Sequence, residues 1–115
     1  MAELIQTLTL EAPEEGTYPV TVAFFDEASV AVQPTSATWT LTNDRGEVIN
    51  SRSTVALTGL STTKTILVQN DDLVVGDYGI HRHLLVEYVY TSSLGSGLRG
   101  KSQVNFTIRN FTAVV

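Results

Sequence analysis

Two histidines, His81 and His83, are the residues of this chain whose type and spacing come closest to a metal site. Side chains alternate along a β-strand, so both imidazoles of a strand through this segment lie on one face and can share an ion. No third ligand stands at a recognised metal-loop spacing. A solvent-facing or interface pair of histidines explains the pattern more simply.

The segment Asn70, Asp71 and Asp72 carries oxygen atoms of the kind that calcium prefers as ligands. An ordinary turn uses the same residue types, because Asn and Asp side chains hydrogen-bond their own backbone. We therefore assign no residue as a metal ligand. Ion binding at this segment or at the histidine pair stays open as an alternative.

Nucleophilic catalysis needs an activated side chain, and the sequence contains no pattern that would activate one. No serine occupies a nucleophile-elbow motif, and the two histidines have no recognisable orienting acid. The glycine-rich residues 95–100 lie between two predicted strands, whereas a phosphate cradle leads into a helix. The sequence predicts a protein that is not an enzyme and has no cofactor.

The composition describes one folded domain over residues 1–115, with flexible ends at residues 1–3 and 112–115. Hydrophobic residues make up 43% of the chain and charged residues 17%, which excludes a disordered class. The absence of cysteine excludes disulfides and thiolate zinc sites. A net charge of −5 repels phosphate groups, so we expect neither nucleic acid nor membrane as a partner. The first residues match neither a signal peptide nor a membrane anchor.

Alternating apolar and polar residues, rich in Thr and Val, predict short strands separated by turns. The clearest strand is residues 36–42, with Trp39 facing the core, followed by a turn at residues 43–46. The other predicted strands are residues 4–11, 18–25, 48–51, 54–57, 64–68, 80–91 and 103–111, with a short edge piece at 30–33. Such spacing predicts an all-β fold, an immunoglobulin-like antiparallel two-sheet sandwich of seven to eight strands, with a small closed barrel as the competitor.

The strand at residues 80–91 has two distinct faces. Its inward row, Leu84, Val86, Tyr88 and Tyr90, leaves Glu87 outside, so we expect no lone buried charge. Leu85 and Val89 are then apolar residues on a wet face, which is one mark of a contact surface.

Two cationic residues follow this strand in the sequence. Arg99 and Lys101 lie in a glycine-rich segment, residues 92–102, which the composition predicts to be a flexible loop. A positive tip on an acidic body can dock against an acidic neighbour. The predicted interface residues are Leu85, Val89, Arg99 and Lys101.

Several segments together resemble the small immunoglobulin-like virion structural proteins of tailed bacteriophages, over about residues 18–111. These segments are the strand and turn at residues 39–49, residues 70–73, and residues 86–95 leading into the strand at 104–108. The resemblance implies a noncatalytic structural or decoration protein in the virion, present in the host cytoplasm during assembly. Its partners would be other virion proteins or further copies of itself.

A carbohydrate- or cell-surface-binding β-sandwich module is the alternative function. Exposed aromatic residues clustered in one loop would favour it, and only Tyr18 and Tyr78 lie near predicted loops.

Overall fold

Short β-branched segments form eight strands in the computed structural model, which describes residues 5–109. The strands are β1 (Ile5–Thr7), β2 (Ala12–Pro13), β3 (Thr17–Ala23), β4 (Ser36–Thr42), β5 (Val55–Ala56), β6 (Thr63–Gln69), β7 (His81–Ser92) and β8 (Gly95–Arg109). Two 3-10 turns, Asn70–Leu73 and Gly76–Tyr78, lie between β6 and β7. The predicted flexible ends, and the outer residues of the first and last predicted strands, lie outside the described residues.

The strands form two sheets, which confirms the all-β two-sheet sandwich. The larger sheet has the order β1-β8-β7-β4-β5, with β2 also paired to β8, and the smaller sheet consists of β3 and β6. All pairings are antiparallel except those of β1 and β2, which run parallel to β8. The larger sheet is therefore mixed at one edge, a feature that an all-antiparallel expectation does not contain.

Aromatic side chains join the two sheets across the core. The rings of Tyr18 and Phe106 lie 4.9 Å apart, and those of Phe24 and Tyr88 lie 5.1 Å apart. Trp39 is buried as predicted, with the Arg52 guanidinium 5.5 Å from its ring centroid. The predicted inward row of β7, Leu84, Val86, Tyr88 and Tyr90, is buried as well. Each fully buried side chain of this size contributes about 1.5–3 kcal/mol relative to an exposed one.

One residue of the same inward row corrects the expectation that no lone charge is buried. Arg82 is fully buried, because the alternation that turns Leu84 inward also turns Arg82 inward. Its guanidinium donates to the backbone carbonyls of Val74 (2.6 Å), Gly79 (2.9 Å), His81 (2.9 Å) and Asp72 (3.3 Å). Burial lowers the pKa of Arg82 from its usual value. The cation thereby holds together the loop that joins β6 to β7.

The prediction of a flexible loop at residues 92–102 is wrong. Only residues 93–94 form the turn of a hairpin, and β8 begins at Gly95 opposite Ser92, with one register shift in the pairing between Tyr90 and Ser92. Glycine and serine are weak strand formers, but a long neighbouring strand offers this segment a continuous row of backbone partners. The composition of this segment is typical of a loop, but its backbone pairing with β7 makes it a strand.

Two other predicted strand segments are each reduced to a single bridge. Residues 48–51 contribute one isolated bridge, between Thr42 and Val48, because Asn50 and Ser51 adopt positive φ angles of 52° and 56°. The edge piece at 30–33 is likewise reduced to a bridge between Phe25 and Ala31. These segments serve as connections over the core.

Candidate interaction surface

The four predicted interface residues lie together on the outer face of the larger sheet. Leu85 and Val89 come from β7, and Arg99 and Lys101 come from β8. Val89 is the cross-strand neighbour of Arg99, and Glu87 is the neighbour of Lys101. We call Leu85, Val89, Arg99 and Lys101 the outer-face patch. The two cations reach it from an ordered strand and not from a loop, which places them at fixed positions beside the apolar residues.

Two shallow depressions adjoin the outer-face patch. The larger, about 430 Å³, is lined on this face by Thr38, Glu87, Val89, Arg99 and Lys101 among others. The smaller, about 160 Å³, is lined by Ile5, Leu85 and Gln103 together with Lys101. Both are open to solvent, and Lys101 borders each of them. The two depressions can receive side chains of a second protein. Apolar side chains would fit beside Leu85, and acidic side chains would fit beside the two cations.

The cations of the outer-face patch are weakly engaged. Lys101 Nζ lies 3.7 Å from Glu87 Oε2, and both side chains are substantially exposed. An exposed pair of this kind contributes about 0–1 kcal/mol. The Arg99 side chain makes no hydrogen bond or ion pair within residues 5–109. Positive charge is therefore available at this place on an otherwise acidic protein.

The two histidines lie on the same outer face, nearer the start of β7. His83 Nε2 contacts Asp44 Oδ1 at 2.6 Å and His83 Nδ1 contacts Asn105 Oδ1 at 2.7 Å. The hydrogen bond from His83 lowers the pKa of Asp44. His81 Nδ1 lies 3.5 Å from Thr107 Oγ1. Within the described chain, no three His, Cys, Asp or Glu side chains are grouped as metal ligands.

The Asn70-Asp71-Asp72 segment forms a 3-10 turn whose last carboxylate is committed to the protein itself. Asp72 is fully buried, and its Oδ1 accepts from Asn50 Nδ2 and Arg52 Nε, each at 2.9 Å. Its Oδ2 accepts from the backbone N–H of Gln69 at 3.1 Å. A carboxylate that already neutralises a guanidinium in the interior is a structural group, so the turn interpretation accounts for Asp72.

The two tyrosines that would favour carbohydrate binding do not form a common platform. Tyr18 is buried, and its hydroxyl donates to the carbonyl of Leu10 at 2.6 Å. Tyr78 is 40% exposed in the second 3-10 turn. An aromatic surface that stacks on a sugar ring needs accessible rings side by side.

Glu87, Thr38 and Ile5 also belong to this surface. Strand alternation predicts the outward positions of Glu87 and Thr38, whereas Ile5 is not among the residues that the sequence places on this face. What brings them beside the outer-face patch is the pairing of β4 with β7 and of β1 with β8. Such long-range register is not readable from one strand at a time.

Comparison with known proteins adds no relative. No family model matches the chain, and neither a curated protein nor a solved structure matches it. The described part of the chain also contains no helix long and apolar enough to cross a membrane.

Proposed function

We propose that this chain is a noncatalytic structural or decoration protein of a tailed-phage particle, and that it works through protein–protein contacts. One observation carries the proposal: Leu85, Val89, Arg99 and Lys101 lie on one sheet face as cross-strand and near neighbours. The resemblance to immunoglobulin-like virion proteins supplies the class of partner. That partner is another virion protein or a second copy of the chain.

The dimensions of the molecule suit this role. It measures 54 × 25 × 25 Å along its principal axes, so one broad side can supply the roughly 800 Å² per partner of a standard interface. The outer-face patch places two cations beside two apolar residues. Apolar contact supplies affinity there, and charge selects the partner.

The polar groups that most resemble chemical machinery have structural partners. Asp72 binds Arg52 and Asn50, and His83 binds Asp44 and Asn105. The burial of Asp72 supports a structural role for that carboxylate. The contact between His83 and Asp44 supplies an orienting acid that the sequence did not reveal, and such a contact is not specific to a binding or a catalytic function.

Mass spectrometry of purified particles tests the virion assignment. Tailed-phage particles would be induced from the bacterium that carries the gene and purified by density gradient. We expect the chain in the particle band in a fixed ratio to the major capsid protein. Abundant chain in the lysate without any in the particles would overturn the assignment.

A pair of variants tests the surface. Leu85→Ser with Val89→Ser should reduce incorporation into particles, because both changes remove apolar area from the outer-face patch. Leu67→Ser is the control on the smaller sheet, where Leu67 is 52% exposed, whereas Leu85 and Val89 are half-buried. Equal incorporation of both variants at wild-type level, with both folded by circular dichroism, would exclude this face as the contact.

A further inference from the structure

Strand β8 is longer than the strands that cover its outer edge. β7 lies along one side of β8 from Gly95 onward, while on the other side β1 covers Gln103–Asn105 and β2 covers Ile108–Arg109. Residues 95–102 have no strand on that second side within the described chain. We call residues 95–102 the open edge. Alternate backbone N–H and C=O groups of such an edge are free to pair with another strand.

The open edge has cations on its outer face, while Leu98, Gly100 and Ser102 lie on its inner face. Arg99 and Lys101 project from the outer face, about 7 Å apart as expected for residues two apart on a strand. Between them, Gly100 lies against the ring of Tyr88, where a Cβ atom would come within 2.3 Å of Tyr88 Cζ. An added strand could therefore approach the backbone closely at Gly100, and it would lie beside the two positive side chains.

We propose that the open edge accepts an extended acidic segment of another protein as an added β-strand. Carboxylates at alternate positions of that segment would face Arg99 and Lys101, while its backbone pairs with β8. This inference rests on the proposed function, because it names the chemistry of the contacting partner. It adds a contact through the strand edge to the contact through the sheet face.

Charge favours an acidic partner over a second copy of the same edge. Antiparallel pairing of two open edges would bring Arg99 and Lys101 of both copies onto one face, and like charges near each other destabilise such a pair. Lys101 already has Glu87 3.7 Å away on the β7 side, and Arg99 has no partner among the described residues. A carboxylate on the open side is complementary to both cations.

The test uses a synthetic peptide of alternating glutamate and threonine, as long as the open edge. Titration into the isotope-labelled full chain should shift the amide resonances of residues 95–102 and slow their hydrogen exchange. Arg99→Gln with Lys101→Gln should weaken binding about three- to tenfold, the sum of two cross-strand charge pairs. Arg45→Gln, which removes an exposed cation elsewhere, should leave the affinity unchanged.

Two further peptides separate strand addition from simple charge attraction. The same peptide with N-methylated amides on one edge should lose binding, because it cannot complete the backbone pairing. A lysine–threonine peptide should not bind. Equal binding of the N-methylated peptide, or no binding of the acidic peptide, would overturn the inference. Mass spectrometry of the particles tests the proposed function separately. If the acidic peptide does not bind, the chain can still be present in the particles or absent from them, so the two tests fail independently.

Discussion

Charged residues on the inner and outer sides of the β7–β8 hairpin have opposite environments. On the inner side, Arg82 is fully buried and donates to four backbone carbonyls. On the outer side, Arg99 has no partner within residues 5–109, and Lys101 has one loose contact. The difference shows that the alternation of a single hairpin assigns one arginine to holding the fold and another to contact with solvent or a partner.

The two sides also differ in how much a substitution should cost. Inner groups are desolvated, so a lost partner leaves buried polar atoms unsatisfied. Outer groups exchange a protein contact for water at little cost. Single substitutions on the two sides of the hairpin therefore test this contrast.

Arg82→Met should have the largest effect, a loss of about 2–4 kcal/mol in the free energy of unfolding, because several acceptors lose their donor at about 1–3 kcal/mol each. Methionine keeps much of the side-chain volume but leaves the carbonyls of Val74 and Gly79 without their donor. Urea denaturation followed by Trp39 fluorescence measures the change. Arg45→Met, on an exposed arginine, is the control. A loss below about 1 kcal/mol for Arg82→Met would mean that water replaces the guanidinium and the inner side is not closed.

Gly100→Ala should cost about 1–3 kcal/mol, because the added methyl group meets the Tyr88 ring. Tyr88 cannot swing away freely, since its hydroxyl donates to the Phe25 carbonyl at 2.7 Å. Thermal or urea unfolding measures the change. Ser96→Ala, at an exposed position of the same strand, should stay within about 0.5 kcal/mol. Equal effects of the two substitutions would contradict the close packing of Gly100.

His83→Leu should raise the pKa of Asp44 back toward its ordinary value, because leucine has no side-chain donor. The hydrogen bond from His83 is the main cause of the lowered pKa, and the charge of His81 contributes less. A carboxyl with a lowered pKa in the folded state stabilises the fold above its unfolded pKa of about 3.9 and loses that contribution as the pH falls further. Carbon-detected NMR titration of Asp44 measures the shift. His81→Gln should move it less, and the reverse order would contradict the assigned contact.

Arg99→Gln should have the smallest effect, within about 0.5 kcal/mol of wild-type stability. The side chain has no internal partner to lose in the described chain. The same urea denaturation measures it. A larger loss would show that Arg99 supports the fold, and the outer side would then no longer differ from the inner side in the way described above.

Local alternation predicted the strands whose two faces differ most. β4 has the predicted bounds, Ser36–Thr42, and the buried row of β7 matches the predicted one from Leu84 to Tyr90. Extending the same alternation by one step would have identified Arg82 as buried. A charged residue is ordinarily assigned to the surface, and three of the four carbonyls that Arg82 contacts belong to a loop whose path the sequence does not specify.

Pairing across the sheet was the part that the sequence did not reveal. Residues 95–102 look like a loop by composition and become a strand because β7 lies beside them. The same pairing brings Arg99 next to Val89, so the four predicted interface residues share one sheet face, and their role in an interface stays a prediction. Parallel pairing of β1 with β8 was equally hidden, since neither segment carries a local mark of its partner.

That parallel arrangement has a mechanical consequence. β1 and β8 run in the same direction, so tension applied between Ile5 and Arg109 pulls the two strands past each other along their length. The load is then shared by all hydrogen bonds between them at once, whereas an antiparallel pair pulled from one end opens bond by bond. β2 lies parallel to β8 as well and adds a second region that resists in the same geometry.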